Sequence, residues 1–307
     1  NQMFWQFCFI IFSNIKKCDV ISRGAHSFCM VVLLVFITSS CIKDTLPECP
    51  PQLVVKLVIK DTNYFNIAQF SELSPEDSAQ PFTHFSGTIC YILTNTTTGQ
   101  IVRQSDIIVP VGNTPDFSLS FNDLSEGKYE LSVWGNITKE IPLGILHQNG
   151  LEHTDIYTGY ARLTILSQNQ EQTLELERAK GKLVIFCRNF PTEVAQMSLK
   201  LSPVYQSTDV LLNYQGNANI QKTTGAQAIN ETFVAPTPQG NSTKLDLNFF
   251  TNSRAVTPVL TVPPMDITIR RNEISAVAVD YDAPGNAWEI WTFINGEWNM
   301  IHHLDIK

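Results

Sequence analysis

Leu53-Val-Val-Lys-Leu-Val-Ile-Lys60 is the stretch on which the fold turns. Leu53, Val55, Leu57 and Ile59 fall on one side of an extended chain, while Val54, Lys56, Val58 and Lys60 fall on the other. That period of two marks a strand with one buried face, because successive side chains point to opposite sides of a sheet. The same signal recurs outward from it. Residues 88–94 form a more continuously apolar run, Asn95-Thr-Thr-Thr-Gly99 is a turn, and 101–109 reads as the returning strand. Phe117, Leu119 and Phe121 alternate with Ser118 and Ser120, the turn at 123–127 leads into 128–134, and 161–166 with 172–177 make a further pair.

A second series starts at Gly181, with strands expected over 182–187, 197–204, 209–214, 232–235, 245–250, 267–271 and 274–281. The last two, 288–293 and 297–306, are joined by Asn295-Gly296, a strong type I′ hairpin signal because both central residues need positive φ. No stretch sustains a period of 3.6, and residues 67–73 offer a turn or two of helix at most. Each series carries about seven strands at the turn spacing of a sandwich. The fold class is therefore all-β: two tandem β-sandwich domains, 53–178 and 179–307, meeting at Arg178-Ala-Lys-Gly181.

Composition narrows the function. The 307 residues carry 21 Lys and Arg against 29 Asp and Glu, a formal charge of −8, which argues against a nucleic-acid partner that needs a basic face. Charged residues are only 16% and hydrophobic ones 43%, so the chain can bury a sizeable core, and its polar content is mostly Thr, Asn, Gln and Ser. That balance suits an envelope protein better than a cytosolic enzyme.

The amino-terminal region is set apart from the fold. Phe28-Cys-Met-Val-Val-Leu-Leu-Val-Phe-Ile37 follows Lys16, Lys17 and Arg23 and has the length of a signal-peptide apolar core rather than of a membrane span. Thr38-Ser39-Ser40 then leads to Cys41, the arrangement of small residues before a Cys that lipoprotein signal peptidase reads. Residues 1–40 are expected to be a signal peptide with a non-native or mis-started extension, and 41–52 a tether lipidated at Cys41. Removing 1–40 takes away three basic groups and Asp19, so the remainder is more acidic and would be repelled by anionic headgroups. The lipid would do the anchoring. Of the remaining thiols, Cys49, Cys90 and Cys187, nothing in the spacing selects a disulfide pair.

Side chains for chemistry are sparse. His84 stands alone, His147 and His153 flank Gly150 at a loop spacing, and His302 and His303 are strand neighbours that point to opposite faces. No metal site, cofactor motif, P-loop or nucleophile elbow is present, and Asp280 with Asp282 reads as a solvated turn beside Pro284-Gly285. Trp288 and Trp291 must face opposite sheet surfaces, which favours a core role over a carbohydrate platform. The chain is read as a non-enzyme.

Several segments carry a family likeness: Cys41-Ile-Lys-Asp-Thr-Leu-Pro-Glu-Cys49-Pro, Leu124-Ser-Glu-Gly-Lys-Tyr-Glu-Leu-Ser-Val-Trp134-Gly-Asn, Arg178-Ala-Lys-Gly-Lys-Leu-Val-Ile, and the run from Arg270-Arg-Asn-Glu-Ile to the last residue. In these the sequence resembles the FimB-type fimbrial anchor family of the Bacteroidales. The resemblance implies two transthyretin-like Greek-key sandwiches in a lipoprotein on the cell outer membrane, anchoring or accompanying a fimbrium. Its partners would be fimbrial subunits joined by β-strand complementation, with backbone hydrogen bonds along an open edge giving affinity. The last strand, with Trp298, Met300, His302, Leu304 and Ile306, is the candidate subunit contact. By alternation Trp298, Met300, His302 and Leu304 are expected on one face. The rival reading is a surface lipoprotein that binds glycan or host protein through loops at 136–159 or 216–241.

Overall fold

The computed structural model describes residues 52–306 other than Asn149; Cys41, Cys49 and the segment expected as a signal peptide lie outside them. The chain is all-β over these residues. The first sandwich contains β1 (Leu53–Ile59), β2 (Ile89–Asn95), β3 (Ile101–Gln104), β4 (Asp116–Phe121), β5 (Gly127–Gly135), β6 (Tyr157–Ile165) and β7 (Gln170–Arg178). One leaf has the order β4-β1-β7 and the other β3-β2-β5-β6; the leaves join where β6 and β7 pair through Tyr157 with Arg178 and Thr158 with Glu177. Strand β1 realises its alternation: Leu53, Val55 and Leu57 are buried, packing with Leu119, Phe121, Leu131, Leu174 and Leu176.

The second sandwich contains β8 (Gly181–Arg188), β9 (Gln196–Thr208), β10 (Tyr214–Gly225), β11 (Ile229–Val234), β12 (Thr243–Phe250), β13 (Leu260–Ile267), β14 (Ile274–Asp282), β15 (Ala287–Ile294) and β16 (Glu297–Asp305). A four-stranded sheet, β10-β9-β12-β13, packs on a five-stranded one, β11-β8-β14-β15-β16. The seven-strand plan of the first sandwich is repeated here. Strand β1 lies between antiparallel β4 and parallel β7, and β8 lies between antiparallel β11 and parallel β14. What the second sandwich adds is the β15–β16 hairpin, whose Asn295 and Gly296 both take positive φ (54° and 86°), as a type I′ turn requires.

Several expected strands move. Of the strand expected over 209–214, residues 209–213 form a turn instead, because the Asp209 carboxylate accepts from the N–H groups of Leu211 and Asn213. The strand that follows, β10, is polar and buries only Ile220 and Lys222, so it carries almost no apolar period. Strand β13 lies at Leu260–Ile267 rather than at 267–271. It contains Pro263 and Pro264, tolerated because β13 is an edge strand whose register with β12 shifts at that point. Strand β3 stops at Gln104, after which only Ile108 pairs again, with Ile89.

The segment expected as a binding loop, 136–159, is instead a buried wedge between the sandwiches. Ile137, Ile141, Leu146, Leu151 and Ile156 are buried with Trp134, Ala179 and Ala235, and Tyr205 and Tyr214 of the second sandwich pack on them. Backbone bonds cross here: Leu146 N–H donates to the Gln206 carbonyl (2.9 Å) and Thr208 N–H to that of Gly144 (2.9 Å). Gly144 has φ +86°, and a Cβ there would lie 2.4 Å from the Thr208 carbonyl oxygen, so only glycine permits the approach. Residues 216–241, the other expected loop, are mostly strands β10 and β11.

A second arm of the first sandwich crosses in the other direction. After β1 the chain runs over the outer face of the five-stranded sheet, where Tyr64 and Phe70 pack with Val184, Phe186, Ile274, Ala276 and Ala278. Asn66 fixes it by exchanging hydrogen bonds with the backbone of Ile274 (2.8 Å each way). Between the two arms lies Arg178, the last residue of β7. Its guanidinium bonds to Asp155, to the Asn272 side-chain oxygen and to the Tyr157 hydroxyl, and stacks 4.0 Å from the Tyr64 ring centre. Its N–H donates to Asp61 (2.8 Å), which also pairs with Arg271 (2.9 Å). Arg178 and Asp155 side chains are only 4% and 11% exposed. Arg178→Met, which keeps the bulk but strands the buried carboxylate, should cost about 3–5 kcal/mol of unfolding free energy. A urea midpoint equal to that of the unaltered protein would remove Arg178 from this role.

Candidate functional site

Strand β16 ends the five-stranded sheet, so one of its sides is bonded to β15 and the other pairs with no strand among the described residues. The five residues singled out on it do not share a face. The β15–β16 register shifts between Ile290 and Trp291, which face His302 and Met300, so Ile301 is the extra residue of a bulge. Before the bulge, Trp298 and Met300 lie opposite Phe293 and Trp291 on the outer surface; after it, His302 and Leu304 lie opposite Ile290 and Trp288, which are in the core. The expected single face for Trp298, Met300, His302 and Leu304 is thereby corrected. One inserted residue reverses the alternation.

Their surroundings differ accordingly. Trp298 lies among Phe70, Phe186 and Phe293, with ring centres 6.4, 5.8 and 5.3 Å away, and the Arg188 guanidinium 5.0 Å from its ring. It therefore reaches across Ala276 and Ala278, whose small side chains leave the room. Leu304 and Ile301 pack on the sandwich core. Met300 (44% exposed) and Ile306 (39%) are left to solvent. The end of the strand is pinned, because Ile306 N–H donates to the Asn286 carbonyl (2.9 Å) and the Asn286 side chain donates to the Ile306 carbonyl (3.0 Å). His303 faces Glu289 (3.8 Å) and Asp305 (3.3 Å).

Trp288 and Trp291 do face opposite surfaces, with Trp288 in the inner core and Trp291 on the outer aromatic cluster. Asp280 accepts from the Asn189 side chain (2.7 Å), and Asp282 closes on Gly285 in the following turn. His84 pairs with Glu76 (3.0 Å) and His153 with Glu152 (3.7 Å). His147 is held neutral by burial, then by the nearby charge of Lys180, and its Nε2 accepts the Ala235 N–H (2.8 Å). Among the described residues no three His, Cys, Asp or Glu side chains converge as metal ligands. Cys90 and Cys187 are free, buried thiols in separate cores, and burial pushes the Cys187 thiol up to about 12, away from thiolate chemistry.

A cleft of about 640 Å³ lies between the crossing arm and the second sandwich. Tyr64, Glu76, His84, Asp155, Arg178 and Lys182 line it, with charges of both signs already paired to one another. Local sequence gives no hint of it, since its walls come from residues 62–76, 153–157 and 229–233.

No family model matches the chain, and no curated protein matches it either. Solved structures do. A candidate adhesin from Bacteroides thetaiotaomicron is matched over 84% of this chain and 100% of that one, at 11% identity and a TM-score of 0.51. A candidate polysaccharide-binding protein from the same species is matched over 82% and 98%, at 11% identity and a TM-score of 0.50. The fimbrial anchor protein Mfa2 from Porphyromonas gingivalis is matched over 83% and 100%, at 12% identity and a TM-score of 0.47. At such identities the likeness is one of fold. No helix among the described residues is long and apolar enough to cross a membrane.

Next to the Arg178 cluster, Lys180 is wholly buried and donates to the carbonyls of Leu151 (2.6 Å) and Thr154 (3.1 Å). Burial lowers its pKa from the ordinary 10.5 to about 7, against the opposing pull of Asp155 and Glu152. Between those values the unfolded chain holds a proton that the folded one lacks, so this group's contribution to stability rises with pH from about 7 toward 10 and is flat below 7. The slope approaches about 1.4 kcal/mol per pH unit. Urea unfolding at pH 7, 8 and 9 should show this rise in the unaltered protein and its loss in Lys180→Met; parallel pH profiles would contradict it.

Proposed function

We propose that this chain is a non-enzymatic cell-surface lipoprotein, tethered to the outer membrane through Cys41, that anchors or accompanies a fimbrium. The observation that carries the reading is the tandem-sandwich fold, shared with the candidate adhesin at a TM-score of 0.51, ending in a hairpin whose last strand pairs on one side only among the described residues. The sequence likeness to fimbrial anchors around Cys41, Trp134 and Arg178 points the same way. A fimbrial subunit would add a strand along β16, using main-chain hydrogen bonds for affinity and Met300 and Ile306 as exposed apolar contacts. His302 would sit beside that seam, while Trp298 and Leu304 hold the strand in place from within.

Two experiments separate tether from joint. Metabolic palmitate labelling should mark the unaltered protein and not Cys41→Ala, and the variant should leave the cells with any attached polymer; label retained on Cys41→Ala would end the lipid assignment. For the joint, deleting β16 is uninformative because Ile301 and Leu304 belong to the core. Met300→Lys with Ile306→Lys instead places charges at exposed edge positions, a device that blocks strand addition without disturbing packing. Co-purification of fimbrial subunits should fall at least tenfold, with the thermal midpoint unchanged. Undiminished co-purification would move the contact elsewhere.

A further inference from the structure

Among the described residues the three sheets end in six edge strands, β3, β4, β10, β11, β13 and β16; four of them are defended, and β16 is the joint proposed above. Strand β13 carries Pro263 and Pro264, and β10 has a register shift between Ala218 and Ile220. The edge of β11 is occupied by Lys222, whose ammonium donates to the Glu231 carbonyl (2.6 Å) and the Thr232 hydroxyl (3.2 Å). Strand β3 is four residues long, with Arg103 in it. Natural edges carry such features because a bare row of N–H and C=O groups recruits another strand.

Strand β4 carries Asp116 at its first position and otherwise has none of them. Phe117-Ser-Leu-Ser-Phe121 contains no charge, proline or bulge, and its pairing with β1 is regular throughout. Its counterpart in the second sandwich is β11, which long β10 and Lys222 cover; in the first, short β3 leaves the equivalent side open. The segment is also a palindrome. Leu119 and Phe121 are buried, Phe117 is half-buried, and Ser118 and Ser120 are exposed.

We propose that β4 is a self-association edge whose occupant is β4 of a second copy of this chain, paired antiparallel about a two-fold axis at Leu119. In that register each Phe117 lies opposite Phe121 of the other copy, Leu119 opposite Leu119, and Ser118 opposite Ser120. Every apolar residue then stays on the core side, and no like charges meet. Two β4-β1-β7 leaves become one continuous six-stranded sheet, and both bare edges disappear. A second copy is the occupant because only a chain with the same palindrome matches the edge residue for residue; a generic partner strand would need no such symmetry. This association is separate from the β16 joint and does not rest on the fimbrial reading.

The test is sedimentation velocity on the full chain at about 0.5 mM, a concentration at which a dimer with a dissociation constant in the tens of micromolar is well populated. The unaltered chain should sediment as a dimer. Ser118→Asp with Ser120→Asp sets like charges opposite one another and should shift it to monomer, weakening association at least tenfold. Ser118→Lys with Ser120→Asp sets unlike charges opposite one another and should restore the dimer. Both pairs of changes lie on exposed positions, and circular dichroism checks that each variant is folded. A monomeric unaltered chain, a dimer that survives the paired aspartates, or a charge pair that fails to restore association would each overturn the proposal.

Discussion

The buried Arg178 guanidinium is the constraint on which the rest of the molecule depends. It ends β7 and immediately precedes the buried Ala179 and Lys180, so the two sandwiches are joined without a flexible linker. Three of its partners, Tyr64, Asp155 and Tyr157, come from the first sandwich and one, Asn272, from the second. A desolvated charge tolerates few geometries, because each lost hydrogen bond leaves a polar group with no water to replace it. The two sandwiches are therefore held in one relative orientation by polar chemistry, and the apolar wedge of residues 137–156 packs around that fixed point.

Much of the fold was legible because one-sided burial leaves a period of two in the strands that have it. The alternations at Leu53–Ile59 and 117–121, and the Asn295-Gly296 turn, are local signals with local causes. Strand β10 was missed because only Ile220 and Lys222 turn inward, and β13 because Pro263-Pro264 reads as a break unless the strand is known to be an edge. The joint was located by its residues but not understood, since Arg178 is buried only by partners far away in the chain, among them Tyr64 and Asn272. The candidate contact strand was found, yet its faces were misassigned. A single extra residue, Ile301, changes which side chains look outward, and nothing in Met300-Ile-His-His-Leu304 announces it.

The repetition of the seven-strand plan gives the added hairpin its meaning. In the first sandwich β7 borders β6 over two residue pairs only, whereas in the second β14 is followed by β15 and β16 along most of its length. The hairpin moves the free edge outward and replaces a flat rim with a bulged, charged one. Its aromatic face is also what the arm bearing Tyr64 and Phe70 lies on, so one element serves sheet extension and attachment of the two sandwiches alike.

Strands β1 and β7 run parallel, from the pairing of Leu53 with Gln170 to that of Ile59 with Leu176. Tension applied between residue 52 and the second sandwich enters at the start of β1 and leaves at the finish of β7, which are opposite ends of a parallel pair. Such a load shears the whole ladder at once instead of unzipping it rung by rung. The architecture resists pulling along that line through every hydrogen bond of the pair acting together.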